Sequence, residues 1–148
     1  MSMRVNKELI NTINKSDVLS MIRNSGPINR AEIAKKIGLS IPTIMKLTDE
    51  FIQKGLVRET GTRPSTGGKP PKLLEFVSNS HYMIGVDVGT TNIEVVMMDL
   101  SASIISKVIT PTKIKDGPEA VMLRIIELIK TVICRADIDK QKILGIGV

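Results

Sequence analysis

Two short stretches of this sequence carry side chains suited to holding an anion. In Ser40-Ile41-Pro42-Thr43-Ile44-Met45-Lys46, a hydroxyl, a second hydroxyl and an ammonium recur at three-residue intervals. Donors spaced this way on one side of a helix can meet phosphate oxygens and base edges. Thr43 can donate, accept or touch a thymine methyl, and Lys46 can reach a phosphate or a guanine. Asn29 and Arg30 stand at the start of a second helical pattern, where a positive dipole end favours a phosphate. Arg63, Ser65, Thr66, Gly67, Gly68 and Lys69 form a slim basic run of the kind that fits a minor groove. The other stretch is Asp87-Val88-Gly89-Thr90-Thr91-Asn92. Glycine permits close backbone approach to a phosphate, threonines supply N–H and O–H donors, and a carboxylate can stand near a metal. Each feature also has an ordinary reading. Ser40 caps a helix with or without DNA, Thr43 and Lys46 suit any solvated face, and a glycine turn can serve folding alone.

The elements that must position these residues follow from periodicity. Residues 7–24 show helical spacing, with Asn14 or Ser16 as a possible break. Gly26-Pro27 stops that helix. Asn29 caps a short helix over residues 30–37, with Ala31, Ile33, Ala34 and Ile37 as its inner face. After Gly38, Ser40 caps a third helix running to about Lys54, with Pro42 in the first turn and Ile44, Leu47, Phe51 and Ile52 facing inward. Residues 56–59 and 73–77 pair as a hairpin around the basic run. Residues 78–82 read as a linker, with His81, the one histidine, as a solvated residue in it. Beyond it come strands at 83–87, 93–100 and 104–110, a helix at 118–134 opened by Gly117-Pro118, and a strand from 143. The expected class is α+β: a DNA-binding domain at 1–77, a linker at 78–82, and a βββαβ segment at 83–148.

Charge separates the two halves. Residues 1–80 hold 13 Lys and Arg against 7 Asp and Glu, whereas residues 81–148 hold 8 of each. The whole excess of +6 therefore lies with the helical half, as expected of a polyanion-binding module joined to a neutral one. Aromatic residues make up only 2 % of the chain, which argues against recognition by base stacking. The one cysteine, Cys134, cannot form a disulfide within the chain and supplies too few ligands for a cysteine zinc site. It is expected to be a buried small hydrophobe. No run of about 20 apolar residues offers a membrane span, and the start lacks a signal-peptide pattern, so the cytoplasm is the expected compartment.

Two helices joined by a glycine turn and followed by a basic hairpin match a winged helix-turn-helix. The run Gly26-Pro27-Ile28-Asn29-Arg30-Ala31-Glu32-Ile33-Ala34, then Gly38-Leu39-Ser40, Pro42-Thr43-Ile44 and Gly55-Leu56-Val57-Arg58-Glu59, resembles the DNA-binding half of the ROK (repressor, open reading frame, kinase) family. Ser65-Thr66-Gly67-Gly68-Lys69-Pro70-Pro71 resembles that family's wing and linker. The resemblance implies a repressor of sugar-utilisation genes, bound to double-stranded operator DNA as a homo-oligomer and released by a sugar or a partner protein. Asp87-Val88-Gly89-Thr90-Thr91-Asn92 resembles the first phosphate-binding hairpin of the sugar kinase, heat-shock ATPase and actin fold. It departs at two points: the family's kinases have a second glycine where Thr90 stands and a lysine where Asn92 stands. The loop is therefore expected to be vestigial, with no cofactor and no enzyme activity. A fragment of an ATP-dependent sugar kinase is the alternative. The family's sugar-contacting, zinc and second phosphate motifs lie beyond the last residue, Val148. On that reading the chain is a truncated product, a fragment, or completed by a second polypeptide. An unpaired strand edge and self-association are then expected.

Overall fold

The computed structural model describes residues 2–62 and 70–148, without side-chain detail for residues 2–6. Contacts divide the chain into two units between Val77 and Ser78.

The first unit opens with α1 (Ser2–Ser25), one continuous helix of 24 residues. The expected break at Asn14 or Ser16 is absent. Asn and Ser inside a helix cost well under about 1 kcal/mol relative to Ala. Burial of Val18 and Ile22 and an ion pair from Lys15 to Glu50 offset that cost. A two-residue strand, β1 (Ile28–Asn29), leads into α2 (Arg30–Ile37), and α3 (Ile41–Gln53) follows. Ile33 and Ala34 are buried and Ile37 is partly so, but Ala31 is exposed, contrary to expectation. At 100° per residue Ala31 lies on the far side of the helix from Ile33. The wing strands are β2 (Val57–Thr62) and β3 (Lys72–Phe76). The sheet order is β1-β3-β2, with Ile28 opposite Leu74 and Val57 opposite Phe76, both pairs antiparallel. One core unites the helices and the sheet: Val18, Ile22, Ile33, Ile44, Leu47, Phe51, Val57 and Leu74.

In the second unit, Ser78–Ser80 forms a 3-10 turn, and Tyr82 already belongs to a strand. The expected linker at 78–82 is thus folded. His81 is partly buried, its Nδ1 3.2 Å from the Ser80 hydroxyl. The strands are β4 (Tyr82–Val88), β5 (Asn92–Asp99), β6 (Ile104–Pro111) and, after α4 (Pro118–Ala136), β7 (Ile143–Gly147). The sheet order is β6-β5-β4-β7, antiparallel except for the parallel β4–β7 pair. This is the βββαβ segment expected of 83–148. Helix α4 covers one sheet face over Ile84, Val86, Ile93, Val95, Met97 and Val108. Buried Asp99 closes the β5–β6 turn. Burial pushes its pKa up, but the N–H groups of Ser103 and Ser101 and the Ser78 hydroxyl outweigh that and hold it below the usual value.

Cys134 is exposed, not buried as expected. The sheet-facing stripe of α4 runs through Ile125, Leu128, Ile129, Val132 and Ala136, and Cys134 lies 200° round the helix from Val132. Leu144, Ile146 and Val148 are also exposed, on and beside the edge strand β7. Among the described residues no helix is long and apolar enough to cross a membrane. No group of three or more His, Cys, Asp or Glu among them could hold a metal.

Candidate nucleic-acid interface

Helix α3 is seated by its apolar side and polarised by its cap. Ser40 adopts an extended conformation, and its Oγ accepts the Thr43 N–H at 3.3 Å. The same Oγ lies 2.8 Å from Thr43 Oγ1, so the two hydroxyls form one polar tip. Pro42, in the first turn, forfeits no intrahelical bond. Ile44, Leu47, Thr48 and Phe51 face the core. The rest of the surface carries Pro42, Met45, Lys46, Asp49 and Gln53, all exposed, with Thr43 half-buried at the border and Ile41 exposed at the helix start.

Which charges on this unit remain available can be read from their partners. Lys15, Arg30, Lys54, Arg58 and Lys72 all sit in ion pairs. Among the described residues Lys46 makes no hydrogen bond or ion pair, and its ammonium is exposed. It borders a groove with Lys7, Glu8, Ile10, Asn11 and Asn14 of α1. Glu50, on the same helix, is spoken for. Hydrogen bonds from Lys15 and Lys54, both at 2.8 Å, hold its carboxyl down to about pKa 2.

At the start of α2 the two expected phosphate holders are already engaged. Asn29 is buried and closes a capping box: its Oδ1 accepts the Glu32 N–H at 2.9 Å, and its own N–H donates to Glu32 Oε2 at 3.4 Å. Arg30 donates from Nε to Thr48 Oγ1 at 2.9 Å and from its two terminal nitrogens to Asp49 at 2.9 Å and Glu59 at 3.1 Å. Glu59 is also bound by Lys72, whose hydrogen bond is the main cause of its lowered pKa. Arg63, Ser65, Thr66, Gly67, Gly68 and Lys69 lie outside the described residues. Sequence reasoning passed over Met45 and Ile41, which are exposed apolar groups on the first turns of α3. Extending the 100° helical spacing from Ile44 would have placed Met45 outward.

The hairpin Asp87–Asn92 has a different character. Gly89 donates its N–H to the Asn92 carbonyl at 2.9 Å, and its own carbonyl accepts the hydroxyl of buried Thr112 at 2.6 Å. The Thr112 N–H closes on the Thr91 carbonyl at 2.9 Å. Arg124 of α4 holds the Thr112 carbonyl and Asp116. A Cβ on Gly89 would stand 2.9 Å from the Asn92 carbonyl oxygen, so the tight turn itself demands glycine. Asp87 lies directly across from Glu94, placing two carboxylates on one sheet face, with Lys107 paired to Glu94 at 2.6 Å. Thr90, Thr91 and Asn92 are exposed.

Residues 12–60 match the family model described as the MarR family. The xylose repressor of Caldicellulosiruptor bescii is 32 % identical over 143 residues, which are 97 % of this chain and 36 % of that protein. The DNA-binding transcriptional dual regulator NagC of Escherichia coli is 28 % identical over 102 residues, 69 % of this chain and 25 % of that one. Among solved structures, a ROK family transcriptional regulator described as a homolog of the E. coli MLC protein superposes with a TM-score of 0.73 at 23 % identity, covering 93 % of this chain and 35 % of that one. The chain thus spans between a quarter and about a third of the length of these relatives. The chain is similar over nearly all its residues to the xylose repressor, and over about two thirds of them to NagC, with residues 12–60 matching the MarR family model and the whole sharing the fold of a solved ROK family regulator.

Proposed function

We propose that this chain is the DNA-binding part of a transcriptional repressor of sugar-utilisation genes. The observation that carries the reading is α3: one side locked into the core, the other presenting Lys46 with its charge unspent beside the Ser40–Thr43 hydroxyl pair. Laid in a major groove, the first turns would bring Thr43, Met45 and Lys46 to the base edges, with Ser40 and Pro42 leading. Met45 supplies apolar contact for thymine methyls. The wing residues Arg63 to Lys69 add a minor-groove contact. Two copies would read half-sites about one helical turn apart. The non-catalytic reading is supported by the Gly89 turn, whose N–H and carbonyl serve the fold, and by Asn92, an uncharged side chain where a cation would attract phosphate.

The test is selection from a random duplex pool, followed by affinity measurements at 50 and 200 mM salt. An enriched duplex should emerge, its affinity should fall at least about tenfold between the two salts, and Lys46→Ala should flatten the log–log salt slope by about 0.9. No enrichment, or binding indifferent to salt, would contradict the reading. An unchanged slope in Lys46→Ala would remove that residue from the contact set.

A further inference from the structure

We infer that Arg30 is a positioning residue that locks the wing to the reading helix and does not itself hold DNA; this rests on the DNA-binding reading above. Arg30 opens α2, but its three side-chain hydrogen bonds reach elsewhere: Thr48 and Asp49 on α3, Glu59 on β2. Lys72 on β3 extends the chain through Glu59. The line Lys72–Glu59–Arg30–Asp49 therefore ties both wing strands to the middle of α3. Thr48, fully buried, donates to the Met45 carbonyl and accepts from Arg30, so the tie reaches the backbone just before Lys46.

Two arguments set Arg30 apart from a phosphate contact. Its side chain is only 19 % exposed, whereas Lys46 stands in water without a partner. Two carboxylates already flank the one guanidinium, so an approaching phosphate would meet Asp49 and Glu59 as well as the cation. A planar, forked cation suits this role because it bonds in several fixed directions at once, which a lysine cannot.

The opposing predictions differ in sign. The experiment compares wild type, E59Q, D49N and R30Q on the duplex enriched by the wild-type chain and on a scrambled duplex of equal length. Replacing Glu59 by Gln removes a negative charge, frees Arg30 and Lys72, and on charge alone strengthens every DNA complex. The tie predicts the reverse for the enriched duplex: about tenfold weaker binding in E59Q, with the scrambled duplex bound as before or more tightly. R30Q combined with E59Q should be no worse than R30Q alone, because both break one tie. Tighter binding of the enriched duplex by E59Q and D49N would overturn the proposal and make Arg30 a phosphate contact. An equal loss on both duplexes would reduce the effect to a loss of folded protein. Should R30Q fail to fold, the two carboxylate variants carry the test alone. A wild-type chain that enriches no duplex would sink the DNA reading itself, a result separate from either outcome for the tie.

Discussion

The outer face of α3 and the Asp87–Asn92 hairpin hold similar chemistry in opposite states. Both offer hydroxyls beside a backbone turn, and both lie on surfaces an anion could reach. On α3 the packing is done by one side of the helix, which leaves Lys46 unpaired on the other. In the hairpin the Gly89 N–H and carbonyl are consumed by Asn92 and Thr112, and the charges across the strands are Asp87 and Glu94. The difference shows that residue types do not make a binding site. What separates the two regions is charge: an unpaired cation on one, carboxylates on the other.

The largest effect should come from removing the seat of α3. Ile44 is fully buried, and Ile44→Ala should cost about 2–5 kcal/mol, with DNA binding lost as the helix shifts. Urea unfolding followed by helical ellipticity would measure it. An intact affinity would mean that α3 does not need its core to read DNA. The hairpin should affect stability alone. Gly89→Ala forces a Cβ against the Asn92 carbonyl oxygen and should destabilise the second unit by about 1–3 kcal/mol. Binding of the enriched duplex should be unchanged by it. Loss of DNA binding in that variant, with the first unit still folded, would erase the contrast between the two regions.

The smallest effect concerns acid. Glu50 has its pKa lowered from 4.5 to about 2 by Lys15 and Lys54. The sign follows from linkage: its contribution is complete above about pH 4.5 and disappears as pH falls toward 2. Wild type should therefore lose thermal stability across that interval. Glu50→Gln should melt slightly lower at neutral pH and show a shallower acid decline. Parallel declines in the two proteins would mean that the α1–α3 tie contributes nothing.

How much was legible in the sequence depends on how local the cause was. The caps at Asn29 and Ser40 act within three residues, so α2 and α3 could be bounded from the sequence. The βββαβ order also followed from apolar runs and turn residues. Strand β1 could not be found this way, because its two residues exist through Leu73 and Leu74, some forty-five positions later. The direction of Cys134 was hidden because α4 is apolar on several sides, and only the sheet decides which one it meets. The engagement of Arg30 was hidden for a similar reason, since Asp49 and Glu59 lie 19 and 29 residues away. Charge counting found the basic half, but only partners show which cations remain free.

The most direct measurement is an amide chemical-shift titration of the full chain with a 20-base-pair duplex at low salt, followed by a separate titration with magnesium and ATP. The duplex should move the amides of residues 40–46 and leave residues 87–92 unmoved, and the nucleotide should move neither. Shifts at residues 87–92 on adding nucleotide, or a duplex titration that leaves residues 40–46 still, would contradict the account.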